Sequence, residues 1–156
     1  MITFSQVQKK DIPTLAKIYA RAFTIEWESW TAKSSKAIVE YRYKKKIKIK
    51  VLYKGKIIWA LFSDIKPLYM GNVMNDGDLF IDPDFQQLWI GRRLFVYGIQ
   101  YAKKKFDVVW WDFYTFKNSY QYKRYKSMGF TSSDKRVLMS GKIDDVLKKI
   151  KSKYVK

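Results

Sequence analysis

The sequence predicts an α/β protein: a mixed, mostly antiparallel central sheet flanked by helices, in one domain over residues 1–156. Three observations carry that prediction. Leu15, Ile18, Tyr19 and Ala22, and later Ile90, Leu94, Tyr97 and Tyr101, recur at helical spacing, each set marking one buried helix face. Residues 47–53 and 56–65 read as two strands joined by the turn Tyr53-Lys54-Gly55-Lys56, an antiparallel hairpin. Val108 to Phe113 is β-prone and follows a strand and a helix, which is the order that yields a parallel pair.

Taken in order, Ile2, Phe4 and Val7 make a first strand. Lys10-Asp11-Ile12-Pro13 opens a helix, with Asp11 as N-cap and proline in the first turn. The segment Phe23 to Trp30 breaks the helical pattern and gathers Glu26, Trp27, Glu28 and Trp30. A second helix spans Lys33 to Tyr43. In the hairpin that follows, Ile47, Ile49 and Val51 alternate with lysines as a half-exposed strand does, whereas Ile57 to Phe62 is continuously apolar and reads as more central. Pro67 to Gly71 is a connection, and Val73 to Ile81 a strand whose first half (Asn75, Asp76, Gly77, Asp78) is unusually polar. Near the C-terminus, Asn118 caps a helix that Gly129 stops after Met128. Residues 130–133 and 135–140 read as closing strands, and 143–150 as a basic amphipathic segment. No linker, repeat or low-complexity boundary interrupts the chain.

Composition narrows the chemistry. With 156 residues, 47% of them hydrophobic, the chain can bury a substantial core. It has no apolar run of membrane-spanning length and no signal-like N-terminus, so a soluble cytoplasmic protein without membrane attachment is expected. The absence of cysteine and histidine excludes a thiolate nucleophile, a Ser-His-Asp triad and a Cys/His metal site, so no metal is expected. Acid–base work then falls to Asp, Glu, Tyr or Lys. The net charge of +18, with lysines clustered at 44–50, 103–105 and 148–156, has two readings. It favours polyanionic partners such as nucleic acid, an acidic protein or a phosphorylated cofactor, or it decorates solvated faces.

The chain is organised around residues 78–105. Leu79, Phe80 and Ile81 end a strand, Asp82-Pro83-Asp84 stops it, and a helix begins near Ile90 with Gly91, Arg92 and Arg93 in its first turn. A helix N-terminus leaves about four backbone N–H groups without intrahelical partners and carries partial positive charge. With two arginines, and with a glycine that permits close approach, such a junction suits a phosphate or pyrophosphate, although most junctions of this kind bind nothing.

The stretch IDPDFQQLWIGRRLF resembles the acetyl-CoA signature of the GNAT superfamily of N-acetyltransferases, in which Val-x-Pro ends a strand and Gln-x-x-Gly-x-Gly/Ala opens a long helix. Ile81-Asp82-Pro83 matches the strand end, Gln86 the glutamine and Gly91 the second glycine, while Trp89 stands in place of the first glycine. Asn118, Tyr125 and Gly129-Phe130 resemble the second family motif at the expected distance.

The resemblance implies a GNAT-like fold in which the parallel strand pair splays apart, and acetyl-CoA as cofactor. It also implies direct transfer of the acetyl group to an amine acceptor in a ternary complex. It assigns cofactor binding to Leu88, Trp89, Ile90, Gly91, Arg92 and Arg93, with Gln86 at the loop, Asn118 near the pantetheine, and the backbone of Phe80 and Ile81 pairing with the pantetheine amides. Tyr125 stands where the family places a general acid beside the sulfur. It implies too that Glu26, Trp27 and Trp30 border the acceptor pocket, although a loop packed by two tryptophans would need the same residues. Asp76 and Asp78 share strand parity if no bulge intervenes, and either one, or Glu26 or Glu28 from the loop, is a candidate base. Some relatives need no dedicated base. A homodimer is compatible with the resemblance. The alternative is a catalytically degenerate member, with Trp89 as its mark, binding nucleic acid or an acidic partner through its basic surface.

Overall fold

The computed structural model describes residues 1–25, 28–86, 90–133 and 144–145, with the backbone alone at 90–92 and 94. The chain forms two compact units, Met1–Tyr114 and Thr115–Lys156. The first holds strand β1 (Ile2–Gln6), helices α1 (Ile12–Phe23) and α2 (Ala32–Tyr43), and strands β2 (Ile47–Tyr53), β3 (Lys56–Leu68) and β4 (Gly71–Ile81). Helix α3 (Ile90–Phe106) and strand β5 (Val108–Trp111) complete it. The sheet order is β1-β2-β3-β4-β5, antiparallel through β4 and parallel between β4 and β5. This is the mixed, mostly antiparallel sheet expected from the sequence.

Strand alternation sorts side chains to two faces. Ala60, Phe62 and Phe80 join Leu15, Ile18 and Tyr19 of α1 and Val39 of α2 on one face. Trp59, Leu61 and Met74 join Ala102 of α3 on the other, with Leu79 and Ile81 packed against them. The sheet is therefore the middle layer between α1/α2 and α3. Among the described side chains of α3 the innermost positions are Phe95, Gly98 and Ala102. Tyr97 and Tyr101 flank that line and are half-buried, because a phenol keeps its hydroxyl near water or a polar partner. Phe4 stacks on Tyr97 with ring centroids 3.7 Å apart, and Gln6 donates to the Tyr101 hydroxyl at 2.7 Å.

Several boundaries differ from the sequence reading for identifiable reasons. Asp11 precedes α1 but caps none of its first-turn amides. Its carboxylate accepts from the Gln8 backbone N–H at 2.6 Å and pairs with buried Lys50 of β2. Strand β3 continues through Pro67, which lies opposite Asn72. Proline is tolerated there because β2 ends its pairing at Ser63, so no ladder on that side needs the missing N–H.

In the second unit, α4 covers Tyr120–Ser127. Its N-cap is Ser119, whose hydroxyl accepts from the Tyr122 N–H at 3.0 Å; Asn118, expected in that role, precedes it with φ of 64°. The helix stops at Gly129, as expected, with φ of 94°. Gly129 N–H donates to the Lys126 carbonyl and Phe130 N–H to the Tyr125 carbonyl, both at 3.1 Å, the paired bonds of a Schellman motif. The accompanying apolar contact is Phe130 against Tyr125. Residues 131–133 are exposed and 130–133 form no strand, since Thr131-Ser132-Ser133 offers no apolar face to bury. The expected strand at 135–140 and the segment 143–150 lie outside the described residues, except that 144–145 are helical.

Candidate active site

The site is built along β4. Strand β5 pairs with β4 only from Asn72 to Met74, and the Asp112 N–H closes that ladder on the Met74 carbonyl at 2.9 Å. Beyond Met74, residues 75–81 pair only with β3 among the described residues. The Asp82 N–H donates to the Ile58 carbonyl at 2.8 Å, which fixes the alternation of the ladder. Backbone groups of Asp78 and Phe80 therefore face β3, and those of Leu79 and Ile81 face the open edge. Of the two residues expected to pair with the pantetheine amides, Ile81 turns its backbone groups to this edge, and its carbonyl accepts from the Gln86 amide at 3.4 Å. Phe80 does not. Its backbone is spent on β3 and its ring is buried against Tyr19, Phe23 and Phe62, so the open-edge position belongs to Leu79.

Midway along, β4 bulges. Phe62 lies opposite Asp78 and Asp64 opposite Asn75, so Ser63 faces two residues, Asp76 and Gly77. Asp76 takes a left-handed φ of 44°, a conformation that short polar side chains tolerate. A Cβ at Gly77 would stand 2.2 Å from the Phe62 carbonyl oxygen, so only glycine fits. The Ser63 hydroxyl donates to the Asn75 carbonyl at 2.9 Å and so closes the gap on β3's side.

The bulge breaks the simple parity by which Asp76 and Asp78 were expected to share a face. They converge because Arg42 of α2 gathers them. Its Nε donates to Asp78 at 2.7 Å and its Nη1 to both the carboxylate and the main-chain carbonyl of Asp76 at 2.8 Å. Lys45 adds a hydrogen bond to Asp76 and an ion pair with Asp64 at 3.6 Å. The Tyr19 hydroxyl donates to Asp78 at 3.3 Å, and burial followed by the Asp78 charge pushes its pKa up. Burial opposes ionisation of Asp76, but the hydrogen bonds from Lys45 and Arg42 outweigh it and hold the carboxyl below its ordinary range. A carboxylate so held is a weaker proton acceptor than a free one, which counts against Asp76 as the base.

At its exit, β4 turns through Asp82, Pro83, Asp84 and Phe85. Asp82 is 2% exposed, and its Oδ1 accepts from the Asp84 N–H at 3.2 Å. Arg21 of α1 reaches this turn from 61 residues away, Nη1 to Asp82 at 2.9 Å and Nη2 to Asp84 at 2.7 Å. Sequence reasoning took the acidic residues only as a strand stop and missed Arg21 and Arg42, because nothing in a helix pattern tells which cation a distant carboxylate will find.

The remaining expected residues fall as follows. Ile90, Gly91, Arg92 and Arg93 are in the first turn of α3, with Arg93 exposed. Trp30 is half-buried, its ring edge-on to Tyr19 and its indole N–H donating to Glu28 at 2.7 Å, so Glu28 and Trp30 partner each other. Glu26, Trp27, Leu88 and Trp89 lie outside the described residues. Tyr125 and Asn118 belong to the second unit, where burial raises the Tyr125 pKa above that of an ordinary phenol. Among the described residues no group of acidic side chains is placed to hold a metal ion, and no helix is long and apolar enough to cross a membrane.

No protein-family model and no curated protein matches the sequence. Solved structures do resemble the fold. A possible acetyltransferase from Clostridium difficile 630 superposes with a TM-score of 0.76 at 17% identity, over 92% of this chain and 99% of its own. The ribosomal-protein-S18-alanine N-acetyltransferase from Escherichia coli gives 0.65 at 19% identity, over 92% of this chain and 86% of its own. An aminoglycoside N-acetyltransferase solved in complex with CoA gives 0.69 at 16% identity, over 92% and 95%. The fold is that of the GNAT acetyltransferases.

Proposed function

We propose that the protein is an acetyl-CoA-dependent N-acetyltransferase, one catalytic domain over the whole chain, acting on an amine. The observation that carries the reading is the open edge of β4, next in sequence to the start of α3. Among the described residues the outward N–H and C=O groups of Leu79 and the N–H of Ile81 have no ladder partner, and the pantetheine amides add to this edge as an extra strand, displacing the Gln86 amide from the Ile81 carbonyl. The first-turn amides of α3, from Ile90 to Arg93, receive the pyrophosphate, with Gln86, Leu88 and Trp89 in the connection and Asn118 beside the pantetheine. The relative solved with CoA supports acetyl-CoA as the cofactor.

Bound acetyl-CoA supplies an activated thioester, which the acceptor amine attacks directly, with no acyl-enzyme, in a chain without cysteine or histidine. Tyr125 donates its hydroxyl proton to the departing sulfur and regains one from solvent. With Asp76 engaged by two cations, the amine proton passes to water; Asp78 acts on the network through Arg42. Glu26, Trp27 and Trp30 border the acceptor.

Thermal unfolding with acetyl-CoA, compared with ATP and a simple polyanion at matched charge in moderate salt, tests the reading. Ligand at about 100 times its Kd stabilises by roughly 2.7 kcal/mol, a rise of a few degrees in Tm. Tyr125→Phe then lowers turnover and spares cofactor binding. Equal stabilisation by every polyanion would instead favour a second reading, rooted in the net charge of +18: a non-catalytic protein binding nucleic acid or an acidic partner, with affinity falling steeply in salt.

A further inference from the structure

We infer that Arg21 is a positioning residue for the cofactor: its fork holds the turn between β4 and α3 and offsets part of that turn's acidic charge, so that an anionic cofactor can settle beside it. The inference rests on the acetyl-CoA reading above. Two carboxylates, Asp82 and Asp84, stand on the segment that leads to the proposed pyrophosphate site, where uncompensated negative charge would repel the ligand. Arg21 is the cation paired with both among the described residues.

The geometry suits a guanidinium. Nη1 and Nη2 each donate to a different carboxylate from one planar fork, which an ammonium reproduces only in part. Asp82 is also the hub of the turn. Its N–H is tied to Ile58 at 2.8 Å, its carbonyl accepts from Phe85 at 2.8 Å, and its side chain takes the Asp84 N–H. Fixing the Asp82 carboxylate therefore fixes the direction in which the chain leaves the sheet. Arg21 itself is 47% exposed, so it contributes little apolar burial and acts chiefly through these two contacts.

The test compares Arg21→Met, Arg21→Lys, Asp84→Asn and the Arg21→Met/Asp84→Asn double variant. Acetyl-CoA affinity is measured by calorimetry, turnover at saturating cofactor, and amide exchange residue by residue. Arg21→Met should raise the acetyl-CoA Kd about tenfold and leave kcat within about twofold. Arg21→Lys should fall between it and the wild type, and Asp84→Asn, at an exposed position, should recover part of the affinity lost in Arg21→Met. The amides of Asp84, Phe85 and Gln86 should exchange about tenfold faster in Arg21→Met while those of β2 stay as in the wild type.

Unchanged affinity with unchanged exchange at 84–86, or faster exchange spread equally over the whole sheet, would overturn the inference. If the wild type shows no binding specific to acetyl-CoA, the functional reading has failed. Exchange at 84–86 then still decides whether Arg21 holds the turn, and no change there refutes it.

Discussion

The two ends of the open-edged half of β4 are each clamped by an arginine from the same helical layer, but they are clamped differently. At the bulge, Arg42 and Lys45 share three carboxylates, and Tyr19 contributes a hydroxyl. At the exit turn, Arg21 serves both Asp82 and Asp84 by itself among the described residues. The bulge is also enforced sterically, by the contact of Gly77 with the Phe62 carbonyl, whereas the turn depends on hydrogen bonds and a proline. The bulge is thus a feature the backbone can keep when a side chain is lost. The turn's two carboxylates share one hydrogen-bonding cation among the described residues, Arg21, with the Lys56 charge acting on Asp84 as well.

The comparison breaks most severely at Gly77. Gly77→Ala drives a methyl into a backbone carbonyl that cannot rotate away, and we expect a loss of about 3 kcal/mol or more of stability. Urea unfolding measures it; a loss under about 1 kcal/mol would show that β4 and β3 part easily there. Arg42→Met comes next. It strands Asp78, 17% exposed, without its cation, but Asp76 retains Lys45 and Asp78 the Tyr19 hydroxyl. The expected loss is about 2 kcal/mol, and Arg42→Met should be less harmful in an Asp78→Asn background. Strict additivity of the two would mean that the pair does not interact.

The smallest effect concerns Asp76 and pH. Its folded pKa lies below the ordinary carboxylate value, so the stability it adds is present above about pH 4 and is lost as pH falls through the folded value. Asp76→Asn should be less stable than the wild type at pH 7. The difference should be under about 1 kcal/mol because the carboxylate is half-exposed and screened, and it should vanish towards about pH 2. A gap that stays constant with pH would assign the effect to shape instead of charge.

Much of the fold was legible in the sequence because it follows from period. The α1 face, the β2–β3 hairpin and the parallel β4–β5 pair rest on apolar spacing and turn residues, which act locally. The polar half of β4 was visible as an anomaly, and the bulge explains it: Asp76 and Gly77 are the residue types a left-handed, close-packed bulge needs. The partners of Asp76, Asp78, Asp82 and Asp84 were not legible, since each is a cation 31 to 63 residues away in sequence. Which backbone groups of Phe80 and Ile81 face outward was equally hidden, because side-chain alternation is the same for either phase of hydrogen bonding. The shift from Asn118 to Ser119 as N-cap is the ordinary one-residue ambiguity between neighbouring cap-forming side chains.

The β2–β3–β4 meander also has a consequence in time. Its strands are joined by two-residue turns, Lys54-Gly55 and Tyr69-Met70, so these hairpins can close on the scale of about 1–10 μs. The pairing of β4 with β5 must wait for the seventeen residues of α3 to fold and cross over. The open edge is thus laid down on the strand that acquires its second neighbour last, and only along three residues. Pulse-labelled amide exchange during refolding should protect Trp59 to Phe62 before Val108 to Trp111; simultaneous protection would show that the sheet assembles in one step.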